Sequence, residues 1–217
     1  MANRIVYYVD KNNNYKNKNI EFHWFPGFAV SQKQKSIMNL HQNFWLSDPE
    51  YKIIEISSAS ENPIGIAASA FNLKVKSRRS IYTVEQLFQS SKVFEKSGKQ
   101  IQLLTMSSAD ARNFNKKRNR DDKLIYFDLF DKTFPLEPKN YFYNWLYINS
   151  LMNSQTLAKD IIKFDAFTDI NANPSYTINT QAEACSIFVS LYRKKQLKQA
   201  LKNRKAFLQI VYGIVNG

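Results

Sequence analysis

The 217-residue chain has little of the chemistry from which metal sites and cross-links are built: one cysteine, Cys185, and two histidines, His23 and His41. One thiol cannot form an intramolecular disulfide, and with two imidazoles it cannot complete a tetrahedral zinc cage. Carboxylates could still bind Mg²⁺, although no aspartate cluster has an obvious ligand spacing. We therefore expect a protein with no metal and no cofactor.

The chain also lacks any run of about 18 apolar residues, and its N-terminus lacks the charged and apolar regions of a signal peptide. These absences predict a soluble, cytoplasmic protein with no membrane partner. An apolar content of 44% suffices for one sizeable core, and 217 residues do not require two domains. We expect a monomer with a single domain over residues 1–217.

Acidic residues are missing from residues 191–217, which carry seven basic side chains, whereas residues 121–190 carry nine acidic and five basic ones. Further basic clusters at 74–79 and 112–120 contribute to a net charge of +13. Such patches fit DNA or RNA, because each neutralised phosphate releases counterions. A lysine-rich solubilising surface explains the composition equally well. The candidate phosphate contacts are Arg118, Arg120, Arg193, Lys194, Lys195, Lys198 and Lys202.

Apolar periodicity and capping signals predict a helix-dominated α+β fold with a small β-sheet. Residues 1–48 are expected to form an N-terminal hairpin with a helix packed on it, and residues 191–217 a basic C-terminal helical segment. The predicted strands are 5–9, 20–24 and 51–57, and residues 64–73 form a strand or a buried turn. The predicted helices are 32–45, 84–96, 108–118, 138–152, 154–163 and a long basic helix from Thr180 through Leu191, with a break near Asn203.

The predicted helix 84–96 places an acid, an amide and an amine on one face. Glu85, Gln89 and Lys92 stand at i, i+4 and i+7, within an arc of about 60°. Such a group can perform acid–base chemistry. It can also be the solvated face of an amphipathic helix, and periodicity alone favours this second interpretation.

Two further segments could serve a site. Residues 165–171 hold Asp165 and Asp169 among hydrogen-bonding side chains, an arrangement that aims a carboxylate into a pocket or forms a structural turn. Residues 69–73 offer the aromatic ring of Phe71 and the amide of Asn72, which taken singly are more often core and turn residues than a base-binding shelf.

Taken together, these segments resemble the NADAR (YbiA-like) family, in which a segment of the S-x-F-x-N type precedes a helix bearing E-x-x-x-Q-x-x-K. The matching segments here are SAFNL at 69–73, YTVEQLFQSSK at 82–92 and DAFTD at 165–169. Additional segments resemble the antitoxin subgroup paired with guanine-ADP-ribosylating DarT-type toxins: EISSAS at 55–60, SKVF at 91–94, FYNWLY at 142–147, FTDI at 167–170 and INTQA at 178–182. The similarity extends over roughly residues 20–192.

The resemblance implies an N-glycosidase that removes ADP-ribose from guanine bases in DNA and so counteracts a DNA ADP-ribosyltransferase toxin. It implies that Glu85, Lys92 and Asp169 are catalytic. The substrate-binding residues that it implies are Ser69, Phe71, Asn72, Arg78, Tyr82, Gln89, Phe134 and Trp145. Phe134 stands where many relatives have tryptophan, and the Trp-Gly pair that often follows the acidic loop is absent after Asp169.

Two other functions remain open from the sequence. One is a non-catalytic basic module that binds nucleic acid or ADP-ribose, and the other is an N-glycosidase acting on small intermediates of riboflavin synthesis. The basic patches favour a nucleic-acid substrate over a small molecule. For the chemistry, direct hydrolysis and a Schiff base on Lys92 both stay open.

Overall fold

The structure is a computed structural model that describes residues 1–77, 80–118, 121–175 and 180–214, without the side chain of Arg118. Three residues predicted from the sequence as ligand contacts, Arg78, Arg120 and the side chain of Arg118, therefore lie outside the described residues. The chain divides into two compact units, the first formed by Met1–Ser69 with Ser154–Gly217 and the second by Ala70–Asn153. The single domain over residues 1–217 stays a prediction.

Helices and short strands alternate along the chain, which confirms the helix-dominated α+β class. The strands are β1 (Ala2–Val9), β2 (Tyr15–Phe22), β3 (Ile53–Glu55), β4 (Lys74–Lys76), β5 (Ile81–Thr83), β6 (Lys92–Phe94), β7 (Gly98–Lys99), β8 (Leu124–Leu129), β9 (Lys132–Phe134) and β10 (Ala166–Thr168). The helices are α1 (Val30–Trp45), α2 (Pro63–Ala68), α3 (Val84–Ser90), α4 (Ser108–Arg118), α5 (Tyr141–Met152), α6 (Gln155–Ile161), α7 (Gln181–Arg193), α8 (Leu197–Ala200) and α9 (Arg204–Tyr212), with a 3-10 helix over Ile101–Thr105.

The first unit is built on a four-stranded sheet of order β2-β1-β10-β3. The predicted N-terminal hairpin is confirmed: β1 and β2 pair antiparallel from Ala2↔Phe22 to Val9↔Tyr15. The strand β2 starts earlier than predicted, because the Asn- and Lys-rich residues extend an edge strand with exposed polar side chains. Helix α1 packs on β2 as predicted and buries Ile37, Leu40 and Phe44 in the core of this unit.

Residues 64–73, predicted as a strand or a buried turn, instead include helix α2. Its start is defined by Asn62, whose side chain accepts a hydrogen bond from the Ile64 N–H at 2.9 Å, and by Pro63 in the first turn. Gly65 lies against the carbonyl oxygen of Glu55, 2.0 Å from where a Cβ would be placed. The small residues of this run therefore permit close packing of a helix on the backbone of β3.

The C-terminal basic helix predicted through Leu191 is three shorter helices. Helix α7 ends at Arg193, and Lys195 has a left-handed φ of 58° that turns the chain before α8. Asn203 then caps α9 by accepting a hydrogen bond from the Ala206 N–H at 2.8 Å. The break predicted near Asn203 is confirmed, and the earlier one was missed.

The second unit contains a two-stranded sheet, β4-β5, and a four-stranded sheet of order β7-β6-β8-β9. With the sheet of the first unit, the described residues form three sheets, where the sequence predicted one. Helix α3 packs against α5 through the stacked rings of Phe88 and Phe142, whose centroids are 6.1 Å apart. Phe127 of β8 stacks on both rings, at 5.6 Å from Phe88 and 4.6 Å from Phe142. The aromatic side chains Tyr141, Phe142, Tyr143 and Tyr147 of α5 are buried in the core of this unit.

Helix 84–96 was predicted too long, since α3 ends at Ser90. The hydroxyls of Ser90 and Ser91 both donate to the carbonyl oxygen of Leu87, at 3.2 and 2.6 Å, and such bonds compete with helix continuation. Lys92 then starts β6 and is paired with Phe127 of β8. Sheet pairing, which depends on residues 35 positions away, thus ends the helix.

Candidate active site

The first turn of α3 is fixed by a capping box. The Thr83 side chain accepts a hydrogen bond from the Gln86 N–H at 3.1 Å, and the Gln86 side chain accepts one from the Thr83 N–H at 2.8 Å. Glu85 lies inside this turn, where the helix dipole favours a carboxylate. Local sequence therefore determines the orientation of the backbone that carries the acid.

The Glu85 carboxylate is buried and accepts three hydrogen bonds from side chains. Arg112 of α4 donates through Nε to Oε1 at 2.7 Å and through Nη2 to Oε2 at 3.1 Å, while Gln89 Nε2 donates to Oε1 at 2.8 Å. The side chain of Glu85 is 1% exposed and that of Arg112 is 47% exposed. A two-point guanidinium contact fixes the plane of the carboxylate as well as its charge.

A second side chain of α4 fixes the amide of Gln89. Asn115 Nδ2 donates to the Gln89 carbonyl oxygen at 2.8 Å and to Gln89 Oε1 at 3.0 Å. Because the carboxylate of Glu85 only accepts hydrogen bonds here, Gln89 must present its amide nitrogen to Glu85 and its oxygen to Asn115. The chain Asn115–Gln89–Glu85 therefore has one orientation.

Lys92, at the start of β6, is buried with its ammonium over an aromatic ring. Its Nζ lies 4.9 Å from the centroid of the Phe88 ring. Burial lowers the pKa of Lys92 to about 8; the positive charge of Arg112 also lowers this pKa, whereas the negative charge of Glu85 raises it. Near physiological pH the neutral amine is thus a minor form, but a much larger fraction than for a lysine with the ordinary pKa of 10.5.

The structure excludes the solvated-face interpretation of Glu85, Gln89 and Lys92. All three side chains are buried, although only Glu85 and Gln89 belong to the helix. The charge of Glu85 acts on Lys92 even though Lys92 lies on a strand. Glu85, Gln89 and Lys92 therefore form one cluster, as their spacing predicted, although a strand and not the helix carries Lys92.

Of the other predicted substrate-binding residues in the second unit, Phe71 and Tyr82 are half-buried and Asn72 is exposed. The guanidinium carbon of Arg112 lies 4.5 Å from the centroid of the Phe71 ring, so this predicted pocket residue contacts the partner of Glu85. Tyr82 is held in β5 opposite Val75. Phe71 thus provides partly accessible aromatic surface beside the ion pair of Glu85 and Arg112.

Two other predicted pocket residues have different surroundings. Phe134 is 2% exposed, with its ring centroid 4.8 Å from that of Phe142 and 5.8 Å from that of Tyr141. It therefore occupies a core position in the aromatic cluster instead of an open wall of a pocket. Trp145, on α5, is half-buried.

Asp169 and Ser69 belong to the first unit. Asp169 directly follows β10, is 8% exposed and accepts a hydrogen bond from the Asn171 N–H at 3.1 Å. The Ser69 hydroxyl is 3.2 Å from that of Ser58. Residues 165–171, predicted to aim a carboxylate into a pocket or to form a structural turn, contain the strand β10. Ala166 and Phe167 pair with β1, and Ala166–Thr168 pair with β3.

A buried carboxyl that the sequence analysis did not single out, Glu55, lies beside this segment. Its oxygens accept hydrogen bonds from the Thr168 hydroxyl at 2.6 Å and the Ile170 N–H at 2.8 Å. Burial raises the pKa of Glu55, against these hydrogen bonds and the charge of Arg4, which lower it. Glu55 thereby joins the ends of two neighbouring strands and serves as an internal support for the backbone next to Asp169.

The predicted nucleic-acid contacts differ in how they are engaged. Arg193 is tied to its own unit, donating to Asp165 Oδ1 at 2.8 Å and to the Phe164 carbonyl oxygen at 3.1 Å. Lys194, Lys195 and Lys198 are exposed, and Lys194 Nζ donates to Asn14 Oδ1 at 2.6 Å. The three lysines retain accessible charge, whereas that of Arg193 is partly neutralised by Asp165.

Sequence reasoning missed Arg112 and Asn115 as site residues. Arg112 had been assigned to the basic cluster 112–120, and Asn115 had no role. Their spacing of i, i+3 on the predicted helix 108–118 places both on one helical face, which was the available signal. What the sequence could not show is that this face packs on α3.

A family model described as the DarT1-associated NADAR antitoxin matches residues 2–216. The chain belongs to this family. The match confirms the resemblance inferred from the sequence motifs. It also extends the region of similarity from residues 20–192 to nearly the whole of this NADAR antitoxin. None of the curated proteins matches it. Within the residues that the structure describes, no helix is long and apolar enough to cross a membrane.

Proposed function

We propose that this NADAR antitoxin is an N-glycosidase that removes ADP-ribose from guanine bases in DNA and so reverses the modification made by a DarT-type toxin. The observation that carries the proposal is a buried, oriented carboxylate, Glu85, whose charge acts on a buried lysine, Lys92, with a pKa lowered to about 8. Buried ionisable groups with strongly shifted pKa values are concentrated at functional sites, which supports a chemical role for Lys92.

The bond to be broken joins the anomeric carbon of ribose to a guanine nitrogen. As this bond breaks, positive charge develops on the sugar, and a fixed negative charge stabilises it. The burial of Glu85 strengthens this interaction, because fewer water molecules screen it. Water adds to the anomeric carbon, guanine leaves with a proton, and free ADP-ribose is the product.

Lys92 allows a second path to the same product. Its neutral amine attacks the anomeric carbon of the ring-opened sugar and displaces the guanine amine, forming a Schiff base between Lys92 and ADP-ribose. Water then hydrolyses the imine, which releases ADP-ribose and restores the amine. The lowered pKa of Lys92 supports this path, since only the neutral amine is nucleophilic.

The family description supports the biological pairing, because it names an antitoxin associated with DarT1. The exposed lysines Lys194, Lys195 and Lys198 support a polyanionic substrate. Asp169, the second acid implied by the family resemblance, is buried and is the third residue to test.

The deciding experiment incubates the protein with a duplex carrying ADP-ribosylated guanine and measures free ADP-ribose. The wild type should release it, whereas Glu85→Gln, Lys92→Met and Asp169→Asn should each lose about a hundredfold in rate or more. Lys96→Met, which removes an exposed lysine four residues from Lys92, is the matched control and should keep full activity. Binding of the modified duplex without release of ADP-ribose would instead identify a non-catalytic binding module.

A further inference from the structure

Helix α4 supplies two side chains to the cluster around Glu85, although neither is needed as an acid, base or nucleophile. Arg112 contacts both oxygens of the Glu85 carboxylate, and Asn115 fixes the amide of Gln89, which donates to the same carboxylate. Glu85 and Asn115 are each 1% exposed. Helix α4 thus constrains the acid both directly and through Gln89.

The geometry limits what Glu85 can do. Its Oε1 accepts from Arg112 Nε and Gln89 Nε2, and its Oε2 accepts from Arg112 Nη2. Rotation of the carboxylate would break the two-point contact with the guanidinium, which requires both oxygens in its plane. A carboxylate held in this way keeps one orientation, as stabilisation of a developing positive charge requires.

We propose that Arg112 is a positioning residue for the glycosidase reaction, which holds the Glu85 carboxylate in the orientation used in the transition state, and that Asn115 supports it through Gln89. The proposal rests on the proposed function. It assigns to Arg112 a task different from phosphate binding, the role suggested by its place in the basic cluster 112–120.

The same guanidinium acts on Lys92 through its charge. The positive charge of Arg112 lowers the pKa of Lys92, and the negative charge of Glu85 raises it. Among the other described elements that pack on α3 or β6, Lys99 and Asp128 pair with each other at 2.6 Å. The 3-10 helix Ile101–Thr105 and helix α5 carry no charged side chain. Removal of the positive charge of Arg112 should therefore change the pKa of Lys92.

A purely structural ion pair gives different expectations from a positioning residue. If Arg112 only stabilised the fold, its replacement would lower the melting temperature and leave kcat of the folded fraction unchanged. If it positions Glu85, kcat must fall while KM changes little, because the interaction with the transition state is weakened and the binding of the substrate is retained.

The first test compares Arg112→Met and Arg112→Lys on ADP-ribosylated duplex, with Lys96→Met as the charge-matched control. We expect kcat to fall about a hundredfold in Arg112→Met, with KM within about threefold of the wild-type value. Arg112→Lys restores the charge without the two-point contact, so its kcat should fall less. Lys96→Met should keep the wild-type kcat.

The second test does not depend on activity. Lysine labelled with ¹³C at Cε reports the titration of Lys92 by NMR, and the wild-type signal should titrate near pH 8. Arg112→Met removes a positive charge beside Lys92, which should raise the pKa of Lys92 above the wild-type value. Lys96→Met should not move it.

The two tests separate the two proposals. A wild-type protein that releases no ADP-ribose would reject the proposed function, while the Lys92 titration would still show whether Arg112 acts on the site. Conversely, wild-type kcat and an unshifted Lys92 titration in Arg112→Met would overturn the role of Arg112 and leave the glycosidase standing. If Arg112→Met does not fold, the kcat of Arg112→Lys decides, because this variant keeps the charge and loses the two-point contact; an unchanged kcat would reject the proposal.

Discussion

The ammonium of Lys92 lies 4.9 Å from the centroid of the Phe88 ring, and Phe88 itself stacks on the aromatic core of its unit. Burial removes most of the hydration of this ammonium group. A cation–π contact and the negative charge of Glu85 compensate for part of this loss. The lowered pKa of Lys92 shows that these two interactions do not fully offset the lost hydration. The protein therefore holds a lysine whose charge costs folding free energy.

Replacing Lys92 should consequently stabilise the fold at neutral pH. The unfolded lysine binds its proton below pH 10.5 and the folded one below about pH 8, so between these values the unfolded state binds more protons and stability falls as the pH is lowered. Lys92→Met removes the free-energy cost of burying the protonated amine, which amounts to about 3 kcal/mol below pH 8. Urea denaturation at pH 7 and at pH 10.5 measures it; an equal difference between the variant and the wild type at both values would contradict the burial argument.

Reduction during turnover should distinguish the two chemical paths. If Lys92 forms a Schiff base, borohydride added during the reaction should attach ADP-ribose irreversibly to the wild-type protein, with mass spectrometry locating the adduct at Lys92. Lys96→Met should form the same adduct and Lys92→Met should not. Turnover without any adduct would indicate direct hydrolysis assisted by Glu85.

The exposed C-terminal lysines should contribute a sequence-independent, salt-sensitive part of DNA affinity. Replacing Lys194, Lys195 and Lys198 together by glutamine should reduce the slope of log K against log salt by about 0.9 for each phosphate that is no longer neutralised. Arg193→Gln should leave this slope near the wild-type value and lower stability instead, because Arg193 is engaged by Asp165. Titrations of an unmodified duplex between about 50 and 200 mM salt provide the measurement; equal slopes in all variants would exclude these lysines as phosphate contacts.

A methyl group at position 65 should destabilise the first unit. The added Cβ would lie 2.0 Å from the Glu55 carbonyl oxygen, so α2 or β3 must move. We expect Gly65→Ala to lower the free energy of unfolding by about 3 kcal/mol. Ala67→Ser, at an exposed position of the same helix, is the control and should change it by less than about 0.5 kcal/mol. A Gly65→Ala variant as stable as the control would show that the helix shifts freely.

The sequence by itself determined the features governed by near neighbours. The capping box of Thr83 and Gln86, the N-terminal hairpin and helix α1 follow from residues a few positions apart, because hydrogen bonds at a helix start and apolar periodicity are local. The ordered motifs also sufficed to recognise the family, which the match over residues 2–216 confirmed.

Only the tertiary structure decided how the site is completed. Ser90 ends α3 because Lys92 pairs with Phe127, and the carboxylate of Glu85 is held by Arg112, 27 residues away on another helix. Local propensity contains no information about which helix packs on which, or which charges become desolvated together. The burial that lowers the pKa of Lys92 is likewise a property of the packed unit, since an isolated segment would leave this amine in water.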